Sequence, residues 1–150
     1  MPFVTAEDLS TAGRLLALDV GDRTVGLAVS DPDRRVASPA GTVRRAKRFA
    51  DTATMLLAAV DERSVAALIV GLPLDLDGHE GRRARRVRQF VLNLMAHRDL
   101  PALMWDERFS TNAVEHAMLA DDASRRRRRA AKDMLAAVYI LQGFLDSLSG

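Results

Sequence analysis

Three acidic residues stand where acids are not expected. Asp19 falls near the end of the apolar run Leu16-Ala17-Leu18-Asp19-Val20-Gly21, Glu107 follows Ala102 to Asp106, and Asp133 precedes Ala137, Ile140 and Phe144 at helical spacing. An ionised carboxylate in such surroundings costs on the order of several kcal/mol unless a cation, a hydrogen-bond donor or an arginine meets it. Each acid alone has a structural explanation: Asp19 could cap a turn, Glu107 could pair with an arginine, and Asp133 could meet the positive end of its helix. Brought to one edge of a domain, the three would repel one another. Two hard divalent ions about 3.5–4 Å apart would relieve that repulsion and activate a water for in-line attack on a phosphodiester. No serine, cysteine or histidine arrangement competes as a covalent nucleophile.

Composition narrows the metal. The chain contains no cysteine, so disulfides and thiolate zinc sites are excluded, and His79, His97 and His116 share no ligand spacing. Oxygen ligands remain, which suit Mg2+ or Mn2+. With 150 residues, 48% of them apolar, the expectation is a single domain over 1–150 with its core between about 14 and 148. No apolar run approaches the ~20 residues of a membrane span, and Met1-Pro2-Phe3 opens no signal peptide. A soluble, cytoplasmic protein with no membrane partner is therefore expected.

The net charge of +2 conceals clustering. Of 22 basic residues only Lys47 and Lys132 are lysine, and the arginines gather in Arg82-Arg83-Ala84-Arg85-Arg86-Val87-Arg88 and in the run from Arg125 to Arg129. Clustered arginine suits a phosphate backbone, although a solvated helix face would look the same. Arg82, Arg83 and Arg86 are candidate nucleic-acid contacts, and Lys132, beside Asp133, either touches phosphate or faces water.

The elements that must position these residues alternate in type. Arg14 to Asp19 and Val25 to Ser30 read as strands joined by a short turn, and Val36 to Val43 as a third strand that Pro39 confines to an edge. Phe49, Ala53, Leu56, Leu57 and Val60 predict a helix over Ala46 to Glu62. Ala66 to Val70 is a strand buried on both faces, followed by a loop from Gly71 to Gly78. A helix over Glu80 to His97 turns Ala84, Val87, Val91, Leu94 and Met95 inward and most arginines outward. Ala102 to Trp105 is the last strand, and Ser110 or Thr111 can cap the helix after it. Asp121 to about Arg128 reads as a mobile connection, and Ala130 to Leu148 as a final helix with Asp133 in its first turn. Strands followed by alternating helices and strands indicate an α/β fold with a mixed sheet. In such sheets sites gather at the carboxyl ends of strands, where Asp19, the loop after Gly71 and Glu107 all fall.

Four blocks in order carry a family resemblance. They are Leu18-Asp19-Val20-Gly21 with Val25 to Asp31; Ile69-Val70-Gly71-Leu72-Pro73-Leu74 with Asp77-Gly78; Trp105-Asp106-Glu107-Arg108 with Ser110-Thr111; and Asp133 with Leu135-Ala136-Ala137 and Ile140-Leu141-Gln142. From about Arg14 to Asp146 the chain resembles the YqgF/RuvX family, relatives of RuvC-type resolvases in the ribonuclease H-like superfamily. The resemblance implies a five-stranded mixed sheet flanked by helices and a two-metal nuclease site. Asp19 would bridge the metals, Glu107 would ligate one and orient the water, and Asp133 would complete the coordination. Asp106 would steady the loop, and Arg108, Ser110 and Thr111 would meet the substrate backbone. Thr24, Asp75 and Phe109 depart from the pattern, where a basic residue, an asparagine and a leucine are usual; the three acids do not.

The resemblance implies two substrate classes, precursor 16S rRNA trimmed at its 5′ end and branched DNA such as Holliday junctions. A junction resolvase must cut two strands symmetrically and so predicts a homodimer; RNA trimming does not. Neither a helix-turn-helix nor an aromatic platform separates them, with aromatics at 5%. Two further readings compete: a non-catalytic nucleic-acid-binding module, and an actin-like nucleotide-binding domain, which needs a second domain to clamp its ligand.

Overall fold

The computed structural model describes residues 3–9, 13–107 and 125–149. In chain order the elements are β1 (Arg14–Val20), β2 (Thr24–Ser30), β3 (Ala37–Arg44), α1 (Phe49–Glu62), β4 (Val65–Leu72), α2 (Arg82–His97), β5 (Ala102–Asp106) and α3 (Arg125–Ser149). The strands form one mixed sheet in the order β3-β2-β1-β4-β5. β2 is antiparallel to β1 and β3, while β4 is parallel to β1 and β5. The expected α/β architecture with a five-stranded mixed sheet is the one observed.

Side-chain alternation divides the core in two. Leu16, Leu18, Leu68, Val70 and Ala102 face α1 and α2, which meet them with Leu56, Val60, Val87, Phe90, Val91 and Leu94. Leu15, Ala17, Ala28, Ala67, Ile69 and Leu103 face α3, which covers them with Ala137, Ile140, Leu141, Phe144 and Leu145. β1 is therefore covered on both faces, and Leu15 through Leu18 are fully buried. Each leucine so buried contributes about 1.5–3 kcal/mol. Ser30, also buried, accepts a 2.8 Å hydrogen bond from the Leu15 N–H and so anchors the start of β1.

Several expected boundaries move, each for a visible reason. α1 starts at Phe49, not Ala46, because Arg45 N–H is bonded to Arg23 O, which ties it to the hairpin, and Ala46 N–H is bonded to Thr52 Oγ1, which folds it back over the first turn of the helix. β4 runs on through Gly71 and Leu72, which pair with Trp105 and Asp106, so the loop begins two residues later than expected. Phe90, absent from the expected inner face of α2, is buried there, while Met95 is only partly covered. Pro39 does lie in an edge strand, beside a register shift opposite Leu27 and Ala28.

The largest correction concerns α3. Helix begins at Arg125, so residues 125–128 are not a loop; arginine is a strong helix former, and the run propagates the helix backward. Residues 121–124 lie outside the described part. Asp133 is consequently two turns into the helix, too far from its start to meet the positive end.

Candidate active site

Strand parity selects the residues of the site. Continuing the alternation that turns Leu15 and Ala17 toward α3 places Asp19 on that face; Gly71 follows Ala67 and Ile69 in β4, and Glu107 follows Leu103 and Trp105 after β5. Asp106, one residue earlier, continues the opposite row through Ala102 and Met104. Asp19 pairs with Gly26 across β2, and Gly71 stands one step beyond the Leu18–Val70 pair on the other side. The acid thus lies between two strand neighbours without side chains. The bare Gly71 position is filled: a Cβ there would lie 2.6 Å from Glu107 Oε1 and 2.5 Å from Ile140 Cδ1.

Glu107 and Asp19 meet directly. The Glu107 carboxyl is pushed up from 4.5 to about 8, first by burial, then by the Asp19 charge and a hydrogen bond to Asp19, with the Asp106 charge adding to the rise. Arg83 opposes these effects with its positive charge. A proton held between two carboxylates takes the place that a divalent cation fills with a stronger field, so this pair is the chemistry of a hard-metal donor set. Among the described residues no three His, Asp or Glu side chains form a metal-holding group. The pair supplies two acids, and the side chain of Asp133 lies outside the described residues.

The helix bearing Asp133 passes over this site. Ala137 and Ile140, four and seven residues beyond Asp133, are buried against the sheet, and Ile140 reaches Gly71 beside Glu107. Lys132 is exposed. Arg108, Ser110 and Thr111 lie outside the described residues, as does Phe109. Asp75 packs its carboxylate 3.1 Å from the Cβ position of Gly81, at the amino end of α2, where a negative charge is favoured.

Arg82, Arg83 and Arg86 are exposed on α2, as their outward spacing predicts. Arg83 and Arg86 also line a cleft of about 350 Å³ on the α1–α2 side of the carboxyl edge. Its other walls include Arg45, which carries no sequence signal, and Phe49, which its spacing marks only as a helix-face residue. The available signal was the spacing Arg83, Arg86, Gln89 and Asn93, a polar stripe along one helix face.

The chain resembles known proteins. A family model described as "RuvX: Holliday junction resolvase" matches residues 13–147. The chain belongs to the RuvX family. A RuvX relative from Paramagnetospirillum magneticum, named "Putative pre-16S rRNA nuclease", is 51% identical over 149 residues, covering 99% of this chain and 96% of its own length. A relative of the same name from Cereibacter sphaeroides is 50% identical over 140 residues, covering 93% and 87%. Among solved structures, Thermus thermophilus RuvC in complex with a Holliday junction substrate superimposes with a TM-score of 0.57 at 13% identity, covering 91% of this chain and 96% of RuvC. That likeness shows that this chain and RuvC share a fold. Among the described residues no helix is long and apolar enough to cross a membrane.

Proposed function

We propose that this RuvX chain is a divalent-metal-dependent nuclease that hydrolyses phosphodiester bonds in the 5′-end processing of precursor 16S rRNA. The observation that carries the reading is the Asp19–Glu107 pair, two carboxylates holding one proton at the carboxyl edge of the sheet. The names of relatives about half identical over nearly the whole chain support the substrate. Asp19, Glu107 and Asp133 would hold Mg2+ or Mn2+, which supplies Lewis-acid activation of water and neutralises charge on the phosphodiester. Glu107, seated over Gly71, orients the attacking water by accepting its hydrogen bond. Asp19, between Gly26 and Gly71, has no neighbouring strand side chain between it and Glu107, which occupies the space over Gly71. Arg83 and Arg86 meet flanking phosphates, with Arg82, Arg108, Ser110, Thr111 and Lys132 as further backbone contacts.

The description of the matching family favours a second reading, a Holliday junction resolvase, whose symmetric cutting of two strands calls for a homodimer. One experiment addresses both. Wild type and Asp19→Asn are compared on precursor rRNA 5′ ends, single strands and four-way DNA junctions, with Mg2+, Mn2+ or chelator, alongside sedimentation of the protein. The expected result is metal-dependent cleavage of the rRNA end that falls by about a thousandfold or more in the variant. Undiminished cleavage by Asp19→Asn would sink the mechanism, and symmetric cutting of junctions by a dimer would select the second reading.

A further inference from the structure

The cleft on the α1–α2 side is separate from the acid pair. Its volume, about 350 Å³, falls in the range of pockets that hold a small organic ligand. Arg83, Arg86, Gln89 and Asn93 recur every three or four residues and form one exposed stripe of α2, while Ala84, Val87, Phe90 and Leu94 turn into the core. Arg88 on the same helix is engaged elsewhere, by Glu80 and by the ring of Phe3.

The opposite wall is rigid. Arg45 Nη1 donates a 2.8 Å hydrogen bond to Gly21 O, and its guanidinium lies 4.9 Å from the centre of the buried Phe90 ring. Phe49 packs edge-on against that ring at 5.1 Å. A guanidinium held over an aromatic ring is a surface on which a nucleobase can stack. Gln89 Nε2 donates to Asn93 Oδ1 at 2.9 Å, which orients the Gln89 carbonyl as an acceptor and the Asn93 amide as a donor. Phosphate-binding, stacking and edge-reading groups thus line a single cavity. Arg83, whose charge also acts on Glu107, links that cavity to the acids.

We propose that this cleft receives one unpaired nucleotide next to the bond that is cut, with its phosphate on Arg83 and Arg86, its base against Arg45 and Phe49, and its base edge on Gln89 and Asn93. The assignment rests on the nuclease reading for the path of the strand. A base stacked in a duplex cannot enter the cleft, so the substrate class it selects is a strand that is single or frayed beside the scissile phosphate.

The test reads binding in chelator, with the full-length protein and no cleavage. Fluorescence anisotropy is measured with a labelled single strand of about eight nucleotides and with a blunt duplex of the same sequence. Wild type should bind the single strand at least about tenfold more tightly. Gln89→Ala with Asn93→Ala should lose about tenfold on the single strand and leave the duplex affinity unchanged. Arg86→Gln should weaken the single strand and lower its salt slope by about one. The proposal is overturned if both variants bind the single strand as wild type does, or if each loses equally on strand and duplex. A failed nuclease reading would appear as no metal-dependent cleavage by wild type, and a failed mechanism as undiminished cleavage by Asp19→Asn, in either case with these affinities intact; a failed cleft assignment would leave wild type active, Asp19→Asn inactive and the strand preference absent.

Discussion

The Glu107 carboxyl donates a hydrogen bond to the Asp19 carboxylate, so two acids from strands that are not neighbours in the sheet share one proton. The intervening strand makes this contact possible, because Gly71 has no side chain to separate them.

The shared proton makes the metal-free fold sensitive to alkali. Unfolded, Glu107 loses its proton near 4.5, whereas the folded carboxyl keeps it to about 8. Between those values the folded state binds more protons, so stability falls as pH rises, by on the order of a few kcal/mol. Thermal unfolding in chelator should give a lower Tm at pH 8 than at pH 5.5, and Glu107→Gln should shrink the difference. A difference as large in the variant as in wild type would show that Glu107 does not hold the proton.

Divalent ions should reverse that trend. A cation must displace the proton, so binding strengthens with pH and stabilises only the folded chain. Mg2+ or Mn2+ should raise Tm more at pH 8 than at pH 5.5, and calorimetry should register proton release on binding at the lower pH. Asp19→Asn should abolish the pH-dependent gain; an equal gain in the variant would place the ion elsewhere.

Gly71→Ala should separate positioning from folding. The new methyl meets Glu107 Oε1 at 2.6 Å and Ile140 Cδ1 at 2.5 Å, so both must move. Overpacking of this kind costs about 1–3 kcal/mol. Displacing Glu107 by about 1 Å should lower the cleavage rate by about a hundredfold. Adding Ile140→Val should recover part of the stability, measured by denaturant unfolding, without recovering the rate. Recovery of both together would mean that the rate loss came from the fold.

Ser30→Ala should do the opposite. It strands the buried Leu15 N–H at the end of β1 remote from Asp19, with an expected loss of about 1–3 kcal/mol. The cleavage rate at a temperature where the variant is folded should equal that of wild type. A large rate defect there would show that the acid edge depends on the far end of the strand.

Regularly patterned segments were readable from residue order alone. β1, β2 and α2 begin and end within two residues of expectation because their apolar periods are strong and turn residues bound them. The boundaries that moved depend on contacts outside the periodic pattern: Ala46 is held by the Thr52 side chain, Arg45 by the distant Arg23, and Gly71 extends β4 only because Trp105 pairs with it. Asp19 and Glu107 could be singled out because an acid interrupts an apolar strand pattern. That they share a proton over Gly71 could not, since it requires three strands in a particular order. The cleft was harder still: Arg45 and Phe49 have no periodic relation to Arg83 and Gln89, and only packing of α1 and the hairpin against α2 joins them. Asp133 was legible as an acid on an apolar helix face, but its place in that helix was not, because a run of arginines looks alike in a loop and in a helix.

The helix carrying Asp133 is also the layer that covers Leu15, Ala17, Ile69 and Leu103. During synthesis every strand of the sheet precedes it, so Asp19 and Glu107 can meet while that face is still bare. The third acid of the proposed site arrives only when this layer docks. On the proposed site, an enzyme built in this order would stay inert while it is being made, and its activity would begin with the same event that completes its core.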